Sequence, residues 1–74
     1  MERKIMEIIH LREDYIKLGQ ALKAAGLAES GVEAKYAIQD GEVMVNGEIE
    51  LQRGKKLYAG DIVEYHGDAI KIED

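Results

Sequence analysis

The chain has 74 residues, no cysteine, no proline and a formal net charge of −5. It is long enough for one small domain, and a chain this size buries only about 60% of its unfolded surface, which leaves a thin core. The composition excludes disulfide stapling, thiolate metal sites and a cysteine nucleophile, and the acidity argues against indiscriminate nucleic-acid binding.

The N-terminal stretch "MERKIMEIIHLRED" carries charge throughout, without the apolar core of a secretory leader. No run reaches the roughly 20 apolar residues of a membrane span. A cytoplasmic domain, 1–74, away from membranes, is the expectation. In the first ten residues Ile5, Ile8 and Ile9 fit a helical stripe, while Ile5, Ile9 and Leu11 fit one face of a strand. The pattern supports both.

The first helix is expected from about Tyr15 to Ala25. Asp14 suits an N-cap, Leu18, Leu22 and Ala25 recur at helical spacing, and Gly26 suits the C′ position. Lys17, Gln20 and Lys23 lie largely outside that apolar stripe. In "SGVEAKYAIQDG", Ser30 and Glu33 have the spacing of a capping box, which predicts a second helix near Val32 to Asp40 with Ala34, Ala37 and Ile38 inward. The four residues between them, "LAES", predict a tight helical pair.

After Gly41 the period changes to two. Val43 and Val45 alternate with polar neighbours, Asn46-Gly47 suits a type I′ turn, and residues 48 to 51 read as the returning strand. "LYAGDIVEY" places a Gly-Asp turn before Ile62, Val63 and Tyr65, and "HGD" turns the chain into Ala69, Ile70 and Ile72. The expected class is α+β: a helix pair followed by a small antiparallel meander.

Charge is unevenly placed. Residues 59 to 74 hold five acids against Lys71, whereas residues 15 to 58 balance six acids with Lys17, Lys23, Lys35, Arg53, Lys55 and Lys56. "LQRGKKLY" holds three cations and no acid. Taken alone, such a run is a solvated loop that keeps a small sheet from edge pairing.

Catalytic patterns are missing. His10 and His66 have no metal-ligand spacing, and His66, beside Gly67-Asp68, reads as an ordinary surface residue in a turn. Ser30 is the only serine, is accounted for as a cap, and has no nucleophile elbow around it. No phosphate-loop signature occurs. A non-enzymatic chain without cofactor or metal is expected.

The order of elements is more informative than any one of them. "IKLGQALKAAGLAESGVEAKYAIQDGEVMVNGEIE" resembles the S4 domain, the small RNA-binding module also called the αL motif. The resemblance rests on Lys17-Leu18, Gly26, Ser30, Ala34-Lys35, Ile38, Gly41 and the Val43 to Gly47 hairpin. "QRGKKLYAGD" is similar to the free-standing, YaaA/YbcJ-like members, and the match spans about Ile16 to Tyr65.

That resemblance implies a two-helix αL motif packed on a small antiparallel sheet with a β-hairpin and an added N-terminal strand. It also implies binding to structured RNA, ribosomal or transfer RNA, in ribosome assembly or translation; a monomer is the expectation. The implied contacts are Lys17, Lys35, Arg53, Lys55 and Lys56. Gln20 and Lys23 on the polar side of the first helix, with Tyr36, complete the candidate set. Tyr36 and Tyr58 each have two readings, a base-stacking platform or an edge of the core. Helix N-termini near Ser30 and Asp14 offer further amide donors. One departure stands out: many members place an arginine after the serine, where this chain has Gly31. The rival reading is a protein-interaction module that presents the same surface to an acidic or ribosome-associated partner.

Overall fold

The computed structural model describes residues 6–74. The N-terminal segment is a strand, β1 (Met6–His10). It is followed by a short strand β2 (Ile16–Lys17), helix α1 (Leu18–Ala24) and helix α2 (Gly31–Gln39). Strands β3 (Val43–Val45), β4 (Glu48–Ile49), β5 (Lys56–Leu57), β6 (Ile62–Tyr65) and β7 (Asp68–Glu73) complete the chain. Residues 1 to 5, including the Ile5 of both N-terminal patterns, lie outside the described residues.

Five strands form one sheet in the order β1-β7-β6-β3-β4, and β2 pairs with β5 in a separate ribbon. The strand pairs β3–β4, β3–β6 and β6–β7 are antiparallel. β1 is added parallel to β7, with Ile9 opposite Ile72, so the sheet is mixed rather than wholly antiparallel. Nor is it a sequential meander. β6 returns to the free side of β3 instead of pairing with β4, because residues 50 to 61 leave the sheet to build β5 against β2.

The inward residues of each element share one core. Leu18 and Leu22 of α1, Ile38 of α2, Val43, Val63, Ile70 and Ile72 of the sheet, and Leu57 of the ribbon are all fully buried. The alternation in β3 and β7 is that of strands with one covered face. Met6, Ile8, Ile49 and Ile62 belong to the other face of the sheet and are exposed.

The first helix starts three residues later than its expected Tyr15. Asp14 does not cap α1. Ile16 and Lys17 are held extended opposite Leu57 and Lys56, so the helix cannot begin until Leu18. Its start is marked by Gln20, whose carbonyl oxygen accepts from the Lys17 N–H at 3.3 Å. α2 starts where expected: Ser30 Oγ accepts from the Glu33 N–H at 3.1 Å. Cross-strand pairing overrode helical periodicity at Ile16 and Lys17.

The hairpin is a two-residue loop, with Val45 opposite Glu48. Asn46 and Gly47 have φ of 52° and 84°, the left-handed pair required by a type I′ turn. Asn46 also ties the turn to the next segment. Its amide donates to Asp61 Oδ1 at 3.0 Å, and its carbonyl oxygen accepts from the Ile62 N–H at 2.9 Å. Asp61 Oδ2 in turn accepts from the Tyr58 N–H at 2.8 Å. The hairpin tip and the loop carrying β5 are therefore locked together.

Candidate nucleic-acid interface

The loop between β4 and β5 is fixed onto the start of α1 by backbone hydrogen bonds. The Leu18 N–H donates to the Lys55 carbonyl at 2.9 Å, and the Gly19 N–H to the Arg53 carbonyl at 3.0 Å. The first amides of α1 are thus already used by the protein, which removes them as the anion donors expected near Asp14. The same bonds bring the basic loop against the polar side of α1. A turn at Arg53-Gly54, closed by the Lys55 N–H donating to the Gln52 carbonyl at 3.1 Å, sets the direction of the loop.

The result is an open trough lined by Lys17, Gly19, Gln20, Lys23, Gly31, Arg53 and Gly54. Three of these residues are cations and none is an acid. Four sequence-predicted contacts, Lys17, Gln20, Lys23 and Arg53, meet here although they are separated by up to 36 positions. The Gln20 carbonyl is occupied by Lys17, leaving its amide hydrogens as donors. At Gly31 a Cβ would meet nothing within 4 Å, so the wall of the trough is open there.

The other expected contacts are elsewhere. Lys55 and Lys56 line a second cleft with Asn46, Tyr58 and three carboxylates, Glu48, Glu50 and Asp61. The basic run is therefore divided: Arg53 serves the acid-free trough, while the two lysines face a mixed environment. Lys35 is half-buried on α2, one turn beyond Gly31 on the same side of the helix. Tyr36 is 58% exposed and does not pack as a core edge. Tyr58, half exposed, is not a cover for the core either.

Electrostatically the trough cations Lys17, Lys23 and Arg53 have no ion-pair partner among the described residues. Among the described residues His66 pairs with Glu42 at 2.5 Å and Lys71 with Glu73 at 3.7 Å. Neither involves Lys17, Lys23, Lys35, Arg53, Lys55 or Lys56. Lys17 and Lys56 face each other across the β2–β5 ladder, an arrangement that like charges disfavour. His66 is an exposed turn residue, stacked on Tyr65 at 4.0 Å, and outside the trough. Burial, with the Glu42 and Glu33 carboxylates nearby, raises the Tyr65 phenol above its ordinary value. Among the described residues no cluster of histidine and carboxylate side chains is arranged to hold a metal. No described helix is long and apolar enough to cross a membrane.

Sequence reasoning marked Gly31 as the place of a missing arginine but missed Gly54 and Gly19 as trough residues, and Asn46 and Asp61 as the clamp. Gly54 and Gly19 contribute backbone and space rather than a side chain, so they carry no chemical signature. Asn46 and Asp61 each looked sufficient as turn residues.

A helix pair closed by a Val-Asn-Gly hairpin, with a cationic trough at the junction, defines a small αL-type module. The chain belongs to the S4 domain family, whose model matches residues 9–73. Among its relatives is a Bacillus subtilis protein named "Probable ribosome maturation protein RlbA", 46% identical over 59 residues, 80% of this chain and 83% of that one. YbcJ of Escherichia coli is 34% identical over 61 residues, 82% of this chain and 87% of that one. The solution structure of YbcJ, described as revealing an αL motif involved in RNA binding, superposes with a TM-score of 0.69 at 30% identity. It covers all of this chain and 92% of its own.

Proposed function

We propose that this domain is a non-catalytic module that binds structured RNA, with ribosomal RNA the favoured class, and that it serves ribosome assembly. The observation that carries this reading is the trough: three cations without a carboxylate among its lining residues, on a chain of net charge −5. Cations left unpaired on an acidic protein are suited to phosphate, whose binding releases counterions from the nucleic acid. Arg53 offers a planar fork for a phosphate, and Lys17 and Lys23 act as point charges. The names given to RlbA and YbcJ, ribosome maturation and RNA binding, point the same way.

Contacts of this kind position a backbone and carry little sequence information, so recognition is by shape. With three to five phosphates engaged, the log–log slope of affinity against salt is expected at roughly −2 to −4. The test is retention of cellular RNA by the purified domain at two salt concentrations, beside a Lys17→Ala/Lys23→Ala/Arg53→Ala variant. Salt-sensitive retention of ribosomal RNA by the wild type alone supports the reading. Retention of no RNA by either protein at low salt sinks it and leaves an acidic protein partner as the occupant of the cations.

A further inference from the structure

The β2–β5 ribbon has an outer side that the trough does not account for. Its register pairs Ile16 with Leu57 and Lys17 with Lys56. One step beyond the ladder the same register brings Tyr15 opposite Tyr58, and their ring centroids are 6.2 Å apart at an interplanar angle of 55°. Alternate residues of a strand share a face. Tyr15 and Lys17 therefore stand beside Tyr58 and Lys56 on one side, while Ile16 and the fully buried Leu57 cover the core from the other.

The core does not need these rings. Tyr15 is 37% and Tyr58 50% exposed, on the side of the ribbon away from Leu57. The Lys56 ammonium lies over the Tyr15 ring, 4.7 Å from its centroid, a cation–π contact that holds the lysine beside the aromatic pair. Lys17, its cross-strand neighbour, also lines the trough. Aromatic surface and phosphate-binding charge are thus continuous through one residue.

We propose that Tyr15, Tyr58 and Lys56 form a stacking site for an unpaired nucleobase, placed so that the adjoining backbone runs over Lys17 into the trough. The ligand class is then a structured RNA with a single-stranded flank, bulge or loop next to its helix, rather than an uninterrupted duplex. This rests on the RNA-binding reading above. Because the Lys56 ammonium covers the Tyr15 ring, the base lies flat on Tyr58 with the tilted Tyr15 ring against its edge, and the adjoining phosphate falls to Lys17 rather than to Lys56, whose cleft is shared with Glu48, Glu50 and Asp61. Stacking of this kind tolerates any base, because every base presents a π-face.

The experiment compares two RNA hairpins, one with a short unpaired flank and one whose flank is abasic, on wild type, Tyr15→Leu/Tyr58→Leu and Tyr15→Phe/Tyr58→Phe. The phenylalanine variant keeps the rings and serves as the control for folding and packing. The wild type is expected to bind the flanked hairpin about fivefold or more tightly than the abasic one, in the range of base–aromatic stacking. The leucine variant should lose that difference and bind both hairpins as the wild type binds the abasic one. The phenylalanine variant should keep it. Because the chain has four tyrosines and no tryptophan, quenching of its tyrosine emission by the flanked hairpin gives a second readout. Equal preference for the flanked hairpin in the leucine variant and the wild type overturns the stacking site and leaves the trough standing. So does an equal loss on both hairpins. Failure of the wild type to bind either hairpin at low salt overturns the RNA reading and this inference with it.

Discussion

Gly31→Arg is a gain-of-function test of the trough. Gly31 is the first residue of α2 and lines the trough with Lys17, Lys23 and Arg53. A Cβ there meets nothing within 4 Å, so a side chain can leave the backbone at this point without a clash. Replacing a helical glycine gains up to about 1 kcal/mol of helix propensity, less at the first position. A cation at a helix N-terminus costs about 0.3–1 kcal/mol against the macrodipole. The two nearly cancel, and the melting temperature should move little.

The effect on binding does not cancel. One added exposed contact of arginine with phosphate is worth about 1 kcal/mol, or roughly fivefold at low salt. It should also steepen the log–log salt slope by about 0.7–0.9, so the advantage shrinks about threefold between 50 and 200 mM salt. Fluorescence anisotropy with a labelled ribosomal RNA fragment over that range measures both quantities. Gly31→Glu should move both in the opposite direction. If Gly31→Arg is folded and leaves affinity and slope unchanged, the RNA backbone does not pass through the trough, and the assignment of Lys17, Lys23 and Arg53 falls with it.

Arg53→Ala should weaken RNA binding about fivefold and lower the slope by about 0.7–0.9, whereas Lys55→Ala, in a cleft shared with Glu48, Glu50 and Asp61, should cost less than about twofold in the same titration. Asn46→Asp keeps the acceptor for the Ile62 N–H but sets a carboxylate where the amide donated to Asp61. A loss of about 1–3 kcal/mol in urea unfolding at neutral pH is expected, relieved in acid when one of the two carboxylates is protonated. Tyr65 bears on alkaline stability. Its raised folded-state value means the folded protein holds that proton longer than the unfolded chain, so stability is intact below pH 10 and falls as pH rises through the folded value. Tyr65→Phe should make that decline shallower and remove one late-ionising phenol from an ultraviolet titration.

Much of the fold was legible because it rests on local chemistry. Ser30 caps α2, and Asn46-Gly47 supplies the positive φ that a two-residue hairpin demands. The stripe of Leu18, Leu22, Ala34, Ala37 and Ile38 is buried as its spacing implied. What was illegible is long-range pairing. Ile16 and Lys17 satisfy a helical pattern, and nothing near them reveals that Leu57, forty residues on, will hold them extended. The parallel pairing of β1 with β7 joins opposite ends of the chain and leaves no local trace. The same holds for the site. Lys17, Lys23 and Arg53 were visible as cations, but their meeting in one acid-free trough depends on the bonds from Leu18 and Gly19 to the loop. The separation of Lys55 from Arg53, two residues away, depends on those bonds as well.

An acidic domain can serve as an RNA binder because screening makes its total charge less important than its local arrangement. At about 0.15 M salt the Debye length is about 8 Å, shorter than any dimension of this molecule, which measures 31 × 27 × 23 Å. A phosphate at the trough then responds to Lys17, Lys23 and Arg53 and hardly at all to any carboxylate farther from it than that distance. Near 0.01 M the Debye length grows to about 30 Å, and the whole charge of −5 acts on the RNA. Affinity should therefore rise along the counterion-release line as salt falls from 0.2 M, and flatten below about 0.02 M as net repulsion enters. The Asp68-to-Asp74 end contributes to that repulsion, and replacing Glu73 and Asp74 by Asn should delay the flattening without altering the slope above 0.05 M. A curve that stays straight to the lowest salt would mean that the acidic surface has no part in confining RNA to the trough.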